Sequence, residues 1–182
     1  MPIQCPPGLT LLTGGARSGK SSLAERLARG AGGPVQFIAT AEAGDDDMAD
    51  RIARHQADRP AHWGLVEEPI ELEAALAATA GDAVVIVDCL TLWTSNLFFA
   101  ECTADQVVQA ASGAARTAAK RTAPTLVVTN EVGFGLHPPT EIERRYRDVL
   151  GRVNRVWAER ADRSWLVIAG RVVPTQDVQD LT

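Results

Sequence analysis

The chain has 182 residues, of which 46% are hydrophobic and 23% charged, and its formal net charge is −5. This length and composition predict a single globular domain, residues 1–182, with a full hydrophobic core. The negative charge disfavours a surface that coats nucleic acid, and no apolar run approaches the ~18 residues that a membrane span requires.

The N-terminal segment and the cysteines bear on the cellular compartment. Residues 1–7 have neither the basic start nor the apolar core of a signal peptide. The three cysteines, Cys5, Cys89 and Cys102, are odd in number and form no C-x-x-C pair, which disfavours disulfides and a zinc site. These features together predict a cytoplasmic protein.

The first predicted strand leads into a glycine-rich loop. Residues 9–13 form a short apolar run that predicts a buried strand, and residues 22–29 carry apolar side chains at helical spacing. Between them lies the pattern G-x-x-x-x-G-K-S of the phosphate-binding P-loop, written here as Gly14, Gly15, Ala16, Arg17, Ser18, Gly19, Lys20 and Ser21. In this motif backbone N–H groups face phosphate oxygens, the lysine reaches the β- and γ-phosphates, and the serine hydroxyl binds Mg²⁺. The loop therefore predicts nucleoside triphosphate binding.

Further apolar runs alternate with helical stretches along the rest of the chain. The runs cover residues 35–39, 83–87, 125–129 and 165–169, and they are continuous rather than alternating. Helical stretches are predicted at 46–58, 69–80, 104–121 and 140–162. Continuous apolar strands separated by helices are typical of a parallel sheet covered on both faces. The sequence therefore predicts an α/β, doubly wound, mainly parallel sheet of the P-loop NTPase (RecA-like) class, in which ligands bind beyond the carboxyl ends of the strands.

Polar residues follow three of these predicted strands. Thr40, Ala41 and Glu42 come after the second strand, and Asp88 ends the third in the manner of a Walker B carboxylate that orders the Mg²⁺ shell. Residues 129–133, which include Glu131, follow the fourth strand. That group would bind substrate, position a proton acceptor or form a polar turn, and the pattern alone does not choose among these.

One histidine lies in the predicted helix 46–58. His55 has Arg51 and Arg59 one turn away on either side, as a phosphate-facing nucleophile would require. Spacing alone favours a different interpretation, a surface histidine among Asp–Arg pairs. His62 and His137 have less support from their surroundings.

Assembled in order, these segments resemble a known family. They comprise the P-loop, residues 37–41, residues 48–55 leading to Arg59 and Pro60, residues 87–97, residues 128–133 and residues 146–154. Together they resemble the bifunctional adenosylcobinamide kinase / adenosylcobinamide-phosphate guanylyltransferase family of cobalamin biosynthesis, over about residues 9–170.

The resemblance implies two reactions. A nucleoside triphosphate, ATP or GTP, would phosphorylate the hydroxyl of adenosylcobinamide, a corrinoid. GTP would then donate GMP to that phosphate, giving adenosylcobinamide-GDP and pyrophosphate. In this family GMP is held covalently on a histidine, and the matching position is His55, so the resemblance and not the spacing makes His55 the nucleophile.

The resemblance also implies the remaining site residues and the assembly. Catalytic roles fall on His55 and Lys20, and Mg²⁺ ligation falls on Ser21 and Asp88. Nucleotide contacts fall on the P-loop and on Thr40, Ala41, Glu42, Gln56, Ala57, Asp58, Arg59, Glu67 and Asp88. The family forms small homo-oligomers, trimers in the best-known member. Glu131 is a candidate for the base of the kinase step, and the sequence indicates no corrinoid site. Two alternatives remain open: a P-loop small-molecule kinase without nucleotidyl transfer, and a nucleotide-sensing regulatory module.

Overall fold

One sheet contains every strand that the structure describes. The computed structural model describes residues 4–42, 60–135 and 137–181. The strands are β1 (Leu9–Thr13), β2 (Val35–Ala39), β3 (Gly64–Glu67), β4 (Val84–Asp88), β5 (Thr125–Val128), β6 (Arg163–Ile168) and β7 (Arg171–Thr175). Their spatial order is β3-β2-β4-β5-β1-β6-β7. Neighbours run parallel from β3 to β6, and β7 pairs antiparallel with β6 at one edge.

Helices connect the parallel strands and cover both faces of the sheet. They are α1 (Lys20–Gly30), α2 (Leu72–Ala78), α3 (Leu90–Phe99), α4 (Ala104–Ala119) and α5 (Glu141–Ala158), with short 3-10 turns at Val132–Phe134 and Val178–Leu181. None of the described helices combines the length and apolarity needed to cross a membrane.

The hydrophobic core divides into two layers, one on each face. Val85 and Val87 of β4 pack in the layer that holds α2, α3, α4 and α5, whereas Val84 and Ile86 pack in the layer that holds α1. Successive side chains of a strand point to opposite faces, so a strand buried on both faces has a continuous apolar sequence. The predicted doubly wound α/β architecture is therefore confirmed.

Helix α5 has a defined start and a buried stripe. Thr140 accepts a hydrogen bond from the N–H of Glu143, and the Glu143 carboxylate accepts one from the N–H of Thr140, which forms a capping box. The buried positions 149, 150, 153, 154 and 157 then follow at helical spacing. Because the cap fixes where α5 begins, it also fixes which of its residues reach the sheet.

Besides the two 3-10 turns, two described strands and one described helix were not predicted from the sequence: β3, β7 and α3. Strand β3 is exposed along its whole length, and so is β7. Several predicted bounds also differ by a few residues. The last parallel strand begins earlier than predicted, at Arg163, and the helix predicted at 140–162 ends at Ala158. The predicted helix 46–58 lies outside the described residues.

Candidate active site

The P-loop joins the end of β1 to the start of α1 and needs its glycines. Gly14 and Gly19 have φ angles of 145° and 102°, and Arg17 has a φ of 57°. A side chain at Gly14 would collide with the carbonyl oxygen of Val167, at the end of β6. The first glycine is therefore required both by its backbone conformation and by the close approach of a neighbouring strand.

Lys20 and the β6–β7 turn hold this loop in place. Lys20 is buried, and its Nζ donates hydrogen bonds to the carbonyl of Gly15 at 2.6 Å and to Ser18 Oγ at 3.3 Å. The N–H of Gly170 donates to the carbonyl of Ser18 at 2.9 Å. The lysine ammonium therefore lies inside the curve of the loop, where the motif requires it to meet phosphate oxygens.

The start of α1 suits an anion. Among the described residues no side chain caps this helix end, and its first turn contains no acidic residue. The partial positive charge of a helix N-terminus therefore faces the loop without a competing carboxylate from its own first turn. Ser21 lies in that turn, and α1 packs across β4 and β5.

The sheet register aligns the residues that were predicted from strand ends. Ala39 of β2 pairs with Glu67 of β3 on one side and with Asp88 of β4 on the other. Asp88 pairs in turn with Val128 of β5, which pairs with Leu12 just before the P-loop. Glu67, Asp88 and the P-loop therefore lie along one carboxyl edge, although Glu67 was placed there only by resemblance.

A first polar cluster at this edge comprises Thr40, Cys89 and Asn96, and we call it the Thr40 cluster. The Thr40 hydroxyl donates to the carbonyl of Cys89 at 2.7 Å and accepts from the N–H of Cys89 at 2.8 Å. Asn96 Nδ2 donates to the carbonyl of Thr40 at 2.7 Å and to that of Pro69 at 3.2 Å. Each of these bonds has a main-chain group at one end, so the cluster fixes the backbone where β2 and β4 end.

Burial in the Thr40 cluster also raises the pKa of a thiol, that of Cys89. Loss of hydration raises the pKa of Cys89 from 9.0 to about 11, and the nearby Asp88 carboxylate acts in the same direction. Cys89 is therefore a protonated packing residue at neutral pH, not a nucleophile.

A second polar cluster lies between β5 and the P-loop, and we call it the Glu131 cluster; it comprises Thr13, Thr129, Glu131 and Asn154. Thr13 Oγ1 donates to Glu131 Oε1 at 2.7 Å, and Asn154 Nδ2 donates to the same oxygen at 3.3 Å. Thr129 Oγ1 donates to Asn154 Oδ1 at 2.6 Å. The N–H of Glu131 donates to the carbonyl of Gly14 at 3.1 Å. Glu131 is thus attached to the first residue of the P-loop through its backbone, and to Thr13, the residue just before the loop, through its side chain.

Sequence reasoning included Thr129 in the candidate group 129–133 but missed Thr13 and Asn154 as members of the site. Asn154 lies on the buried stripe of α5, between Val153 and the next turn at Trp157. A polar residue on an otherwise apolar stripe is a detectable signal, because a buried amide requires hydrogen-bond partners. The pattern does not say which partners they are.

The remaining predicted residues lie partly at this edge and partly outside the described residues. Ala41 and Glu42 follow β2, and Ala16 and Arg17 are exposed in the P-loop. His55, Gln56, Ala57, Asp58 and Arg59 lie outside the described residues, so their predicted roles stay predictions. His62 is exposed, and the exposed His137 contacts Arg147 at 3.3 Å.

Solved structures similar to this chain share its fold. A protein of Pyrococcus horikoshii OT3 from a structural study aligns with 96% of this chain and 88% of its own length, at 9% identity and a TM-score of 0.55. The RadB recombinase aligns with 87% of this chain and 73% of its own length, at 18% identity and a TM-score of 0.52. A KaiC-like protein of the same Pyrococcus horikoshii strain has a TM-score of 0.52 at 14% identity, over 87% of this chain and 70% of its own. These likenesses concern the RecA-like fold alone.

Closer similarity comes from sequence. Residues 10–175 match the family model described as cobinamide kinase / cobinamide phosphate guanyltransferase. The bifunctional adenosylcobalamin biosynthesis protein CobP of Pseudomonas aeruginosa is 44% identical over 90% of this chain and 95% of its own length. The corresponding protein CobU of Salmonella typhimurium is 38% identical over 89% of this chain and 96% of its own length. With a P-loop, a carboxylate on β4 and this extent of similarity, the chain belongs to the cobinamide kinase / cobinamide phosphate guanyltransferase family.

Proposed function

We propose that the protein phosphorylates adenosylcobinamide with a nucleoside triphosphate and then transfers GMP from GTP to the resulting phosphate. The products of the second step are adenosylcobinamide-GDP and pyrophosphate. The observation that carries the proposal is the family match over residues 10–175, which spans the P-loop and the whole carboxyl edge of the sheet. Both steps attack phosphorus, and both need negative charge to be neutralised and the reacting groups aligned.

The kinase step draws on the residues around the P-loop. The buried Lys20 ammonium and the uncapped start of α1 supply positive potential for the β- and γ-phosphates. Ser21 and Asp88 offer a hydroxyl and a carboxylate, the oxygen ligands that Mg²⁺ prefers. No group of three or more His, Cys, Asp or Glu side chains suited to a metal occurs in the described part of the chain. That fits Mg²⁺ held by few protein ligands and by the phosphates themselves, where it would neutralise charge on the transferring phosphoryl group.

The guanylyl step is proposed to use His55 as nucleophile. Imidazole nitrogen would attack the α-phosphorus of GTP, pyrophosphate would leave, and the substrate phosphate would then displace the histidine from GMP. The arginines at positions 51 and 59 would stabilise charge on the phosphate. The support for this role is the family resemblance of the segment that contains His55.

A covalent-labelling experiment tests the function. The protein is incubated with α-labelled GTP and Mg²⁺, and acid-labile protein-bound label is measured. We expect labelling of the wild type and of His62→Ala, which removes an exposed histidine, and none of His55→Ala. Label retained by His55→Ala would show that another residue is the nucleophile.

The same preparation separates the alternatives. Transfer from γ-labelled nucleotide to adenosylcobinamide without covalent GMP would identify a small-molecule kinase. Nucleotide binding with slow turnover that adenosylcobinamide does not stimulate would identify a sensing module. The small homo-oligomer that the resemblance implies is tested by sedimentation equilibrium, and the cytoplasmic location by fractionation of cells.

A further inference from the structure

Glu131 places an acidic side chain beside the loop that is proposed to bind the phosphates of the nucleotide. Glu131 follows the end of β5 by three residues, and β5 lies between β4, which ends at Asp88, and β1, which leads into the P-loop. Its backbone N–H bonds to the carbonyl of Gly14, the first residue of the P-loop, at 3.1 Å. Glu131 is thus attached through its backbone to the loop proposed to bind the phosphates, and it follows the strand that lies next to β4, which ends at the proposed metal ligand Asp88.

A negative charge here opposes nucleotide binding. Like charges placed close together destabilise one another, and a nucleoside triphosphate is itself strongly anionic. A glutamine at position 131 would supply the same hydrogen-bond acceptor to Thr13 and Asn154 without this repulsion. The structural role of the side chain therefore does not account for its charge.

The hydrogen bonds that the described residues donate to this carboxylate all reach one of its two oxygens. Thr13 Oγ1 and Asn154 Nδ2 both donate to Oε1, at 2.7 Å and 3.3 Å. Within the described part of the chain, no hydrogen bond or ion pair reaches Oε2. Glu131 is half-buried, so the second oxygen is held at the site by bonds made to the first.

We propose that Glu131 is the general base of the kinase step, an inference that rests on the proposed function. The hydroxyl oxygen of the substrate forms a bond to the γ-phosphorus of the nucleotide while its proton passes to Glu131 Oε2. The bond between the γ-phosphorus and its bridging oxygen breaks, and the electron pair leaves with the nucleoside diphosphate. The proton on Glu131 is then released to solvent, which restores the carboxylate.

Thr13 and Asn154 are positioning residues in this proposal. Thr13 is the last residue of β1 and precedes the P-loop, so its bond sets the distance between the carboxylate and the bound phosphates. Asn154 is buried and is itself oriented by Thr129 and by the carbonyl of Asn130. Both act through Glu131 and need not touch the substrate.

A single variant tests the proposal, because it should slow the kinase reaction and leave the guanylylation reaction unchanged. Glu131→Gln keeps an acceptor for both hydrogen bonds and removes the base. We expect kcat for phosphoryl transfer to adenosylcobinamide to fall by about 10²- to 10⁴-fold at saturating Mg²⁺. Formation of covalent GMP from α-labelled GTP should stay within about threefold of the wild-type rate, because that step needs no proton removed from the corrinoid hydroxyl.

Glu68→Gln is the matched control at the same edge of the sheet. Glu68 Oε1 accepts hydrogen bonds from the N–H groups of Ile70 and Glu71 at 3.0 Å and 2.8 Å, and glutamine can replace it as acceptor. This control should leave both half-reactions unchanged. A wild-type protein that performs neither reaction would instead refute the proposed function.

Three outcomes would overturn the role of Glu131. The first is a kinase kcat for Glu131→Gln within about threefold of wild type. The second is an equal loss of both half-reactions. The third is recovery of the kinase rate of Glu131→Gln at higher Mg²⁺, which would identify Glu131 as a metal ligand.

Thr13→Val tests positioning separately. It should lower kinase kcat by about tenfold with little change in the KM for adenosylcobinamide, and Thr13→Ser should restore the rate. A changed KM with an unchanged kcat would contradict the positioning role.

Discussion

The Thr40 cluster and the Glu131 cluster lie at the same edge of the same sheet but differ in what their hydrogen bonds hold. In the Thr40 cluster each bond has a main-chain atom of Thr40, Cys89 or Pro69 at one end. In the Glu131 cluster three bonds run from one side chain to another. The first cluster therefore fixes backbone, whereas the second orients a carboxylate. Buried polar groups near a nucleotide site can serve either purpose, and the partner atoms distinguish the two.

The largest stability effect should follow from removing the Thr40 hydroxyl. Thr40→Val keeps the shape of the side chain but leaves the buried N–H of Cys89 without its acceptor. It also removes one of two donors to the Cys89 carbonyl, which keeps its hydrogen bond from the N–H of Trp93. We expect the free energy of unfolding to fall by about 3 kcal/mol, measured by urea denaturation. Thr40→Ser, which retains the hydroxyl, should recover most of that loss. A difference below about 1 kcal/mol between wild type and Thr40→Val would show that the cluster does not fix the backbone.

A smaller stability effect combined with a kinetic one should follow from Asn154→Ala. The buried Thr129 hydroxyl then loses its acceptor and the carbonyl of Asn130 its donor, so the free energy of unfolding should fall by about 2 kcal/mol. Kinase kcat should fall as well, because the carboxylate of Glu131 loses one of its two donors. Arg155→Ala, on the exposed face of α5, should change neither quantity appreciably. Lost stability with an unchanged kcat would show that the Glu131 cluster, like the Thr40 cluster, has only a structural role.

The Thr40 cluster should also show a pH dependence that comes from Cys89. Burial raises the pKa of this thiol from 9.0 to about 11, so the folded protein keeps the proton where the unfolded chain releases it. Stability from this group is complete below about pH 9 and is lost as the pH rises through about 11. Between about pH 8 and about pH 10.5, unfolding free energy should fall by about 1.5 kcal/mol more in the wild type than in Cys89→Ala. If the unfolding free energies of the two proteins depended on pH in the same way, the role given to Cys89 would be wrong.

The smallest expected effect on stability concerns the start of α5, the helix that carries Asn154 of the Glu131 cluster. Thr140→Ala removes the side-chain half of the capping box and should lower the free energy of unfolding by about 1 kcal/mol. Combining it with Glu143→Ala should give less than the sum of the two single effects, because both side chains belong to one box. Additive losses in thermal unfolding would mean that the two side chains act independently.

The sequence predicts the interior of this sheet better than its borders. The runs 9–13, 35–39, 83–87 and 125–129 are continuous and apolar because their strands are buried on both faces. Strands β3 and β7 are exposed border strands, and Pro174 lies within β7, so neither produces such a run. Helix α3 carries apolar residues around nearly its whole circumference, and therefore has no helical periodicity to detect.

For the site, local motifs were predictable and distant partners were not. The P-loop spacing and the acid that ends β4 are contiguous patterns, and the structure places both at the carboxyl edge. The Glu131 cluster joins residues of β1, of the segment after β5 and of α5, and the hydrogen bond from Thr13 to Glu131 spans 118 residues. No local pattern encodes that pairing, since it depends on β5 lying beside β1 in the strand order.

The hydrogen bond from the N–H of Gly170 to the carbonyl of Ser18 in the P-loop has a consequence for synthesis of the chain. Strand β1 and the loop leave the ribosome before their partners, since β1 pairs with β5 and β6 and the loop bonds to Gly170 in the turn after β6. A nascent chain therefore carries its phosphate-binding motif without lateral support through most of translation, and such late, non-local pairing slows folding. Any fragment that ends before Gly170 lacks the hydrogen bond to Ser18, however complete its P-loop motif, so we expect such fragments to hold the loop less firmly than the whole chain does.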